Sequence, residues 1–124
     1  MKMKNQFEVK NRNDYIYLRT WGDLESDGLE TPAEAALAIS RETGINKLLD
    51  NIQEVNPTVK LSVQLKGVKV LWKLRAFKKI AVVVKENELG TMFFSSISVL
   101  HLSDAVFRGF TTEEDAIAWL KSGT

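Results

Sequence analysis

Apolar positions along this chain follow two rhythms, a period of two and a period of three to four, and their order predicts its elements. Phe7-Glu8-Val9-Lys10 and Tyr15 to Trp21 alternate as strands, and Asn11-Arg12-Asn13-Asp14 between them has turn composition, so the chain opens on a hairpin. Thr31-Pro32-Ala33-Glu34 then combines a hydroxyl cap, a proline and a glutamate three residues on. That is the pattern of a capping box, and it predicts a helix from about Pro32 to Thr43 that stops at Gly44. Lys47-Leu48-Leu49-Asp50 reads as a short buried strand with Asn51 to Pro57 as its exit loop.

Thr58 to about Ala76 has helical spacing despite Gly67, and Ile80 to Val84 is an unbroken apolar run, as in a strand covered on both faces. Asn87 can cap a third helix bearing Leu89, Phe93, Ile97 and Leu100. Ala105 to Phe110 is the last strand, and Thr111 or Thr112 caps a final helix that buries Ala116, Ile117, Trp119 and Leu120. The order β-β-α-β-α-β-α-β-α predicts an α/β domain of about four helices, with right-handed crossovers and a mainly parallel sheet after an N-terminal β-hairpin.

The second predicted helix has two apolar faces. At about 100° per residue, Leu61, Leu65, Val68 and Trp72 share one stripe, and Val59, Val63, Val70 and Leu74 share another nearly opposite. One helix packs on one sheet, so the remaining stripe meets a neighbouring helix, another chain or an amphipathic ligand. Lys66, Lys69 and Lys73 run between the stripes, one turn apart. Leu61, Val63, Leu65, Lys66, Val68, Lys69, Trp72 and Lys73 form the candidate interaction surface, with self-association as the leading reading. The alternative is a carrier of a lipid-like molecule held between the second and third helices, with the lysines near its head group.

Composition narrows the remaining choices. The 124 residues suit a single domain spanning 1–124, and the 44% hydrophobic and 27% charged fractions are those of an ordinary globular chain. No apolar run approaches the length of a membrane span and the N-terminus lacks a secretory pattern, so a cytoplasmic protein without stable membrane insertion is expected. Zero cysteines exclude disulfides and thiolate metal sites. The net charge of +1 hides a segregation: residues 23–54 carry eight acids against two bases, while 55–85 carry eight bases and no acid. Such a block is either a footprint for anionic partners or one solvated helix face. Nothing has the aromatic signature of a nucleic-acid binder.

Chemistry is sparse. Asp50 is expected at the carboxyl end of a parallel strand, where open α/β sheets place ligands, although an aspartate bonded to its own turn has the same sequence. Glu25, Asp27 and Glu30 lack the spacing of a calcium loop. His101 is the only histidine and has no nucleophile beside it in sequence. No catalytic residue, metal or cofactor is assigned, and the chain is expected not to be an enzyme.

The run Phe77-Lys78-Lys79-Ile80-Ala81-Val82-Val83, the last strand ending at Phe110 and Glu114-Asp115-Ala116-Ile117-Ala118-Trp119-Leu120 resemble the ending of the SpoIIAA-like proteins. These are relatives of the STAS domain and of a lipid-binding domain of the same superfamily. Tyr17 to Gly22 and Lys47-Leu48-Leu49-Asp50 fall where that family has its second and "leu-leu-asp" strands. The resemblance implies a SpoIIAA-like (STAS-type) (βα) superhelix without established enzyme activity. It also implies a place for a phosphorylatable serine after the "leu-leu-asp" strand. Here Asp50 to Thr58 contains no serine; only Thr58 offers a hydroxyl, and helix capping accounts for it.

Overall fold

The computed structural model describes residues 6–23, 30–56, 73–74, 76–85 and 106–122. Strand β1 (Gln6–Asn11) turns through Asn13, whose φ of 69° suits asparagine, into β2 (Ile16–Asp23). Helix α1 (Glu30–Thr43), β3 (Lys47–Asn56), β4 (Lys79–Val83), β5 (Phe107–Phe110) and a final helix, here α2 (Glu113–Lys121), follow. The five strands form one sheet in chain order. β1 and β2 are antiparallel and every later pair is parallel, as the hairpin and crossover pattern predicts.

Two helices are thus described, not about four. The second and third predicted helices fall mostly outside the described residues; of their described residues, Lys73 and Leu74 are helical. The last strand starts at Phe107, with Val106 in a turn.

The capping box at Thr31 is not formed. α1 begins at Glu30, so Thr31 lies inside the first turn, where Pro32 is tolerated because N–H groups there have no intrahelical acceptor. Glu34 turns outward to Lys73 at 2.9 Å and Arg41 at 4.0 Å. The helix ends as expected at Gly44, with φ +78° and its N–H donating to the Ser40 carbonyl at 2.8 Å.

β3 is ten residues long where a short strand with an exit loop is expected. Its second half pairs with β2 alone, because the ladder to β4 ends at Asn51 and Val83. With no β4 partner there, this half mixes Gln53 and Glu54 with Ile52 and the buried Val55, a composition that reads as a loop. The β2–β3 register slips between Arg19 and Trp21, where Asn51 faces Arg19 but Glu54 faces Trp21. The Asn51 Oδ1 accepts the Gln53 N–H at 2.9 Å, replacing a ladder bond at this bulge.

Alternation in the strands divides the core into two layers. Ile16, Leu18, Leu48, Ile80 and Val82 face α1 and meet Ala33, Ala36, Leu37, Leu74 and Phe77. Leu49, Ala81 and Val83 face the other way, onto Ala116 and Leu120 of α2. Tyr17 joins this second layer from β2, partly buried against it with Phe110. Ile117 and Trp119, expected in the core of the final helix, are only partly buried at its rim. Trp119 lies under the Lys79 ammonium and the Arg108 guanidinium, 5.0 and 5.4 Å from its ring centroid. Lys79 Nζ also donates to the Trp119 and Ser122 carbonyls at 3.2 and 2.7 Å, neutralising the negative end of α2.

Candidate functional site

The described chemistry gathers on the α2 face of the sheet, beyond the end of β4. Strand parity sends Tyr17 and Arg19 of β2 and Asn51 of β3 to this side, and the bulge brings Glu54 alongside. α2 enters here with Thr112 as its N-cap, the Thr112 Oγ1 accepting the Asp115 N–H at 3.2 Å. Of the two threonines expected to cap this helix, Thr112 is therefore the one that does. Glu113, Glu114 and Asp115 then fill the first turn, where carboxylates oppose the positive end of the helix dipole.

Glu113 is the hub. Its Oε2 accepts the Tyr17 hydroxyl at 2.5 Å and the Asn51 amide at 2.7 Å, tying helix to sheet. Burial, reinforced by donation to this carboxylate, pushes the Tyr17 phenol up to about 12. Gln53 donates to the Thr111 carbonyl at 2.7 Å, and Arg19 pairs with Glu54 while lying 4.9 Å over the Trp21 ring. Most of these residues wall an open depression of about 580 Å³. It is wide, polar and already internally bonded, a shape suited to another macromolecule's surface more than to enclosing a small apolar ligand.

Asp50 does not sit at a strand end. It lies inside β3, opposite Leu18 on one side and Val82 on the other, facing α1 with Leu48 and Ile52. The extension of β3 past Asn51 moves the sheet end away from it. The turn hydrogen bond expected of it is made by Asn51 instead. Its Oδ1 is buried with no hydrogen-bond partner, and burial pushes the carboxyl up to about 7.

Of the predicted interaction surface, Leu61, Val63, Leu65, Lys66, Val68, Lys69 and Trp72 lie outside the described residues, as do Thr58 and His101. Lys73 is exposed and ion-paired to Glu34 of α1. Leu74, next to it, is 1% exposed in the α1-side core. Among the described residues no three acidic or imidazole side chains converge on a metal-sized site, and no helix is long and apolar enough to cross a membrane.

The Tyr17–Asn51–Glu113 hub was not singled out from sequence. Two signals pointed to it: the shared parity of Tyr17 and Arg19, and an acidic first turn behind a threonine cap. Joining them requires the long β3, which the sequence reads as a loop.

Neither family models nor curated protein sequences match the chain. Solved structures do. An uncharacterized protein of the DUF3478 family with a SpoIIAA-like fold, from Shewanella loihica, is 20% identical with a TM-score of 0.60, over 94% of this chain and 93% of that one. An anti-sigma factor antagonist from Mycobacterium paratuberculosis is 15% identical with a TM-score of 0.65, over 96% of both chains. The phosphorylated Bacillus cell fate determinant SpoIIAA is 14% identical with a TM-score of 0.52, over 94% of this chain and 100% of that one. These likenesses concern the fold.

Proposed function

On a SpoIIAA-like fold with Leu74 buried against the sheet, we infer that this chain is a non-enzymatic regulatory module that binds protein through the outward stripe of segment 58–77. The burial of Leu74 carries the reading. Helical spacing puts Val59, Val63 and Val70 in register with Leu74, so that stripe is the inward one. Leu61, Leu65, Val68 and Trp72, on the opposite side, form the contact surface, rimmed by Lys66 and Lys69. The partner is another protein or a second copy. One structural neighbour is an anti-sigma factor antagonist, a protein whose work is to engage another protein, which supports a regulatory role. The open, polar depression at Glu113 supplies a second face on which such a partner can rest. The Lys73 pair with Glu34 commits one lysine of the line to α1 and leaves a lipid head group less to bind.

The test compares two single charges in one segment. Leu65→Glu should keep the wild-type melting temperature while abolishing binding at this stripe, scored by co-purification with the partner protein. Val63→Glu should unfold the domain, because it buries an unpaired carboxylate at a cost of several kcal/mol. An unfolded Leu65→Glu beside a stable Val63→Glu would overturn the assignment.

A further inference from the structure

β1 is bonded to β2 on one side only, and among the described residues its other side meets no strand. The turn sets the phase of its backbone. The Arg12 N–H donates to the Tyr15 carbonyl at 2.9 Å, in the register that pairs Asn11 with Ile16 and Val9 with Leu18. Inward and outward groups alternate along an antiparallel strand, so Lys10, Glu8 and Gln6 direct their N–H and C=O groups to β2. Asn11, Val9 and Phe7 turn theirs to the free edge.

We propose that this edge pairs with β1 of a second copy of the chain, antiparallel about a two-fold axis through Val9, joining two sheets into one. The charges select that register. With Val9 on the axis, Val9 bonds to the partner's Val9 and Phe7 to the partner's Asn11. Glu8 then stands opposite the partner's Lys10, and Lys10 opposite the partner's Glu8, in the non-hydrogen-bonded pairs where side chains are closest. Shifting the axis by one residue either way sets Glu8 against the partner's Glu8, or Lys10 against the partner's Lys10. Like charges so placed are unfavourable.

The two faces agree with this register. Phe7 and Val9 are partly buried against the α1-side core, and Val9 would gain cover from the partner's Val9 directly and from the partner's Phe7 diagonally. On the other face, Glu54 pairs with Arg19 and Arg19 lies 3.6 Å from Glu8, so the partner's Lys10 completes an alternating row. Within one chain Lys10 reaches Glu8 only at 3.8 Å, with both side chains substantially exposed. β1 has no proline, and its six residues pair with β2 without a bulge; its only edge guards are the charges of Glu8 and Lys10, which the two-fold register sets against opposite charges of the partner. Such pairing is independent of the 58–77 stripe, and a chain dimerised here keeps that stripe for another protein.

Sedimentation of the full chain tests the pairing. The wild type should be a dimer. Lys10→Glu and Glu8→Lys should each raise the dissociation constant about tenfold or more, and an equimolar mixture of the two should recover wild-type affinity, because both cross-strand pairs become opposite in charge. Val9→Pro should give a folded monomer, since the N–H it removes points to the free edge. Leu65→Glu should leave the dimer intact, which separates this pairing from the stripe. A wild type that stays monomeric at its solubility limit overturns the proposal. So does a dimer split by Leu65→Glu but indifferent to Lys10→Glu, or a mixture that fails to recover. If Val9→Pro does not fold, the charge variants decide alone.

Discussion

Asp50 shows how one residue can be visible in a sequence and still be misplaced. Its position after Leu48-Leu49 marks it out, but its role depends on where β3 ends, and the polar Asn51, Gln53 and Glu54 disguise the strand that continues beyond it. Inside the sheet, between Leu18 and Val82, it becomes a carboxyl without a partner for Oδ1. A buried acid whose pKa rises from about 4 to about 7 keeps its proton in the folded chain after the unfolded chain has released it. The contribution of Asp50 to stability is therefore greatest below pH 4, falls as pH rises through about 4 to 7, and levels off above. The loss is on the order of 4 kcal/mol. Asp50→Asn cannot ionise and should flatten that slope, making the variant more stable than wild type at about pH 8 in urea unfolding. Parallel pH profiles for the two proteins would contradict the assignment. The Glu113 hub was hidden for a related reason, since its two donors come from strands far apart in the chain and meet only through the long β3.

Elements were legible where a terminator or a continuous pattern dictated them. The unbroken apolar run of β4, the hairpin and the Thr112 cap needed nothing from the rest of the fold. The start of α1 was not legible, because Thr31-Pro32-Ala33-Glu34 satisfies a local capping rule that the chain does not use. Its end was, through Gly44. At φ +78° an alanine carries a backbone penalty, and no atom lies within 4 Å of the Cβ it would add, so the penalty is conformational alone. Gly44→Ala should cost about 1 kcal/mol, or roughly 4 °C in melting temperature. A wild-type melting curve would mean that the α1–β3 connection relaxes to another turn.

At the scale of the whole molecule, a mixed sheet covered on both faces was readable from the order of strands and helices and from the unbroken apolar run of β4, and α1 and α2 supply that cover on opposite faces. What sequence left open was which apolar stripe of segment 58–77 meets that sheet, since both stripes are equally apolar and only a packed neighbour can choose between them. Leu74, buried with Phe77 among residues of α1, β2 and β3, is the position from which the proposed function takes its orientation. The proposed function rests on that single orientation, because it decides whether Leu61, Leu65, Val68 and Trp72 face inward or outward. Trp72 reports on it directly. With Trp21→Phe and Trp119→Phe removing the other two tryptophans, acrylamide quenching of the remaining fluorescence in dilute, partner-free protein measures how far Trp72 is open to water. The account predicts strong quenching and a red-shifted emission that turns blue when the partner binds; weak quenching with blue emission in the free chain would place Trp72 in the core and contradict it.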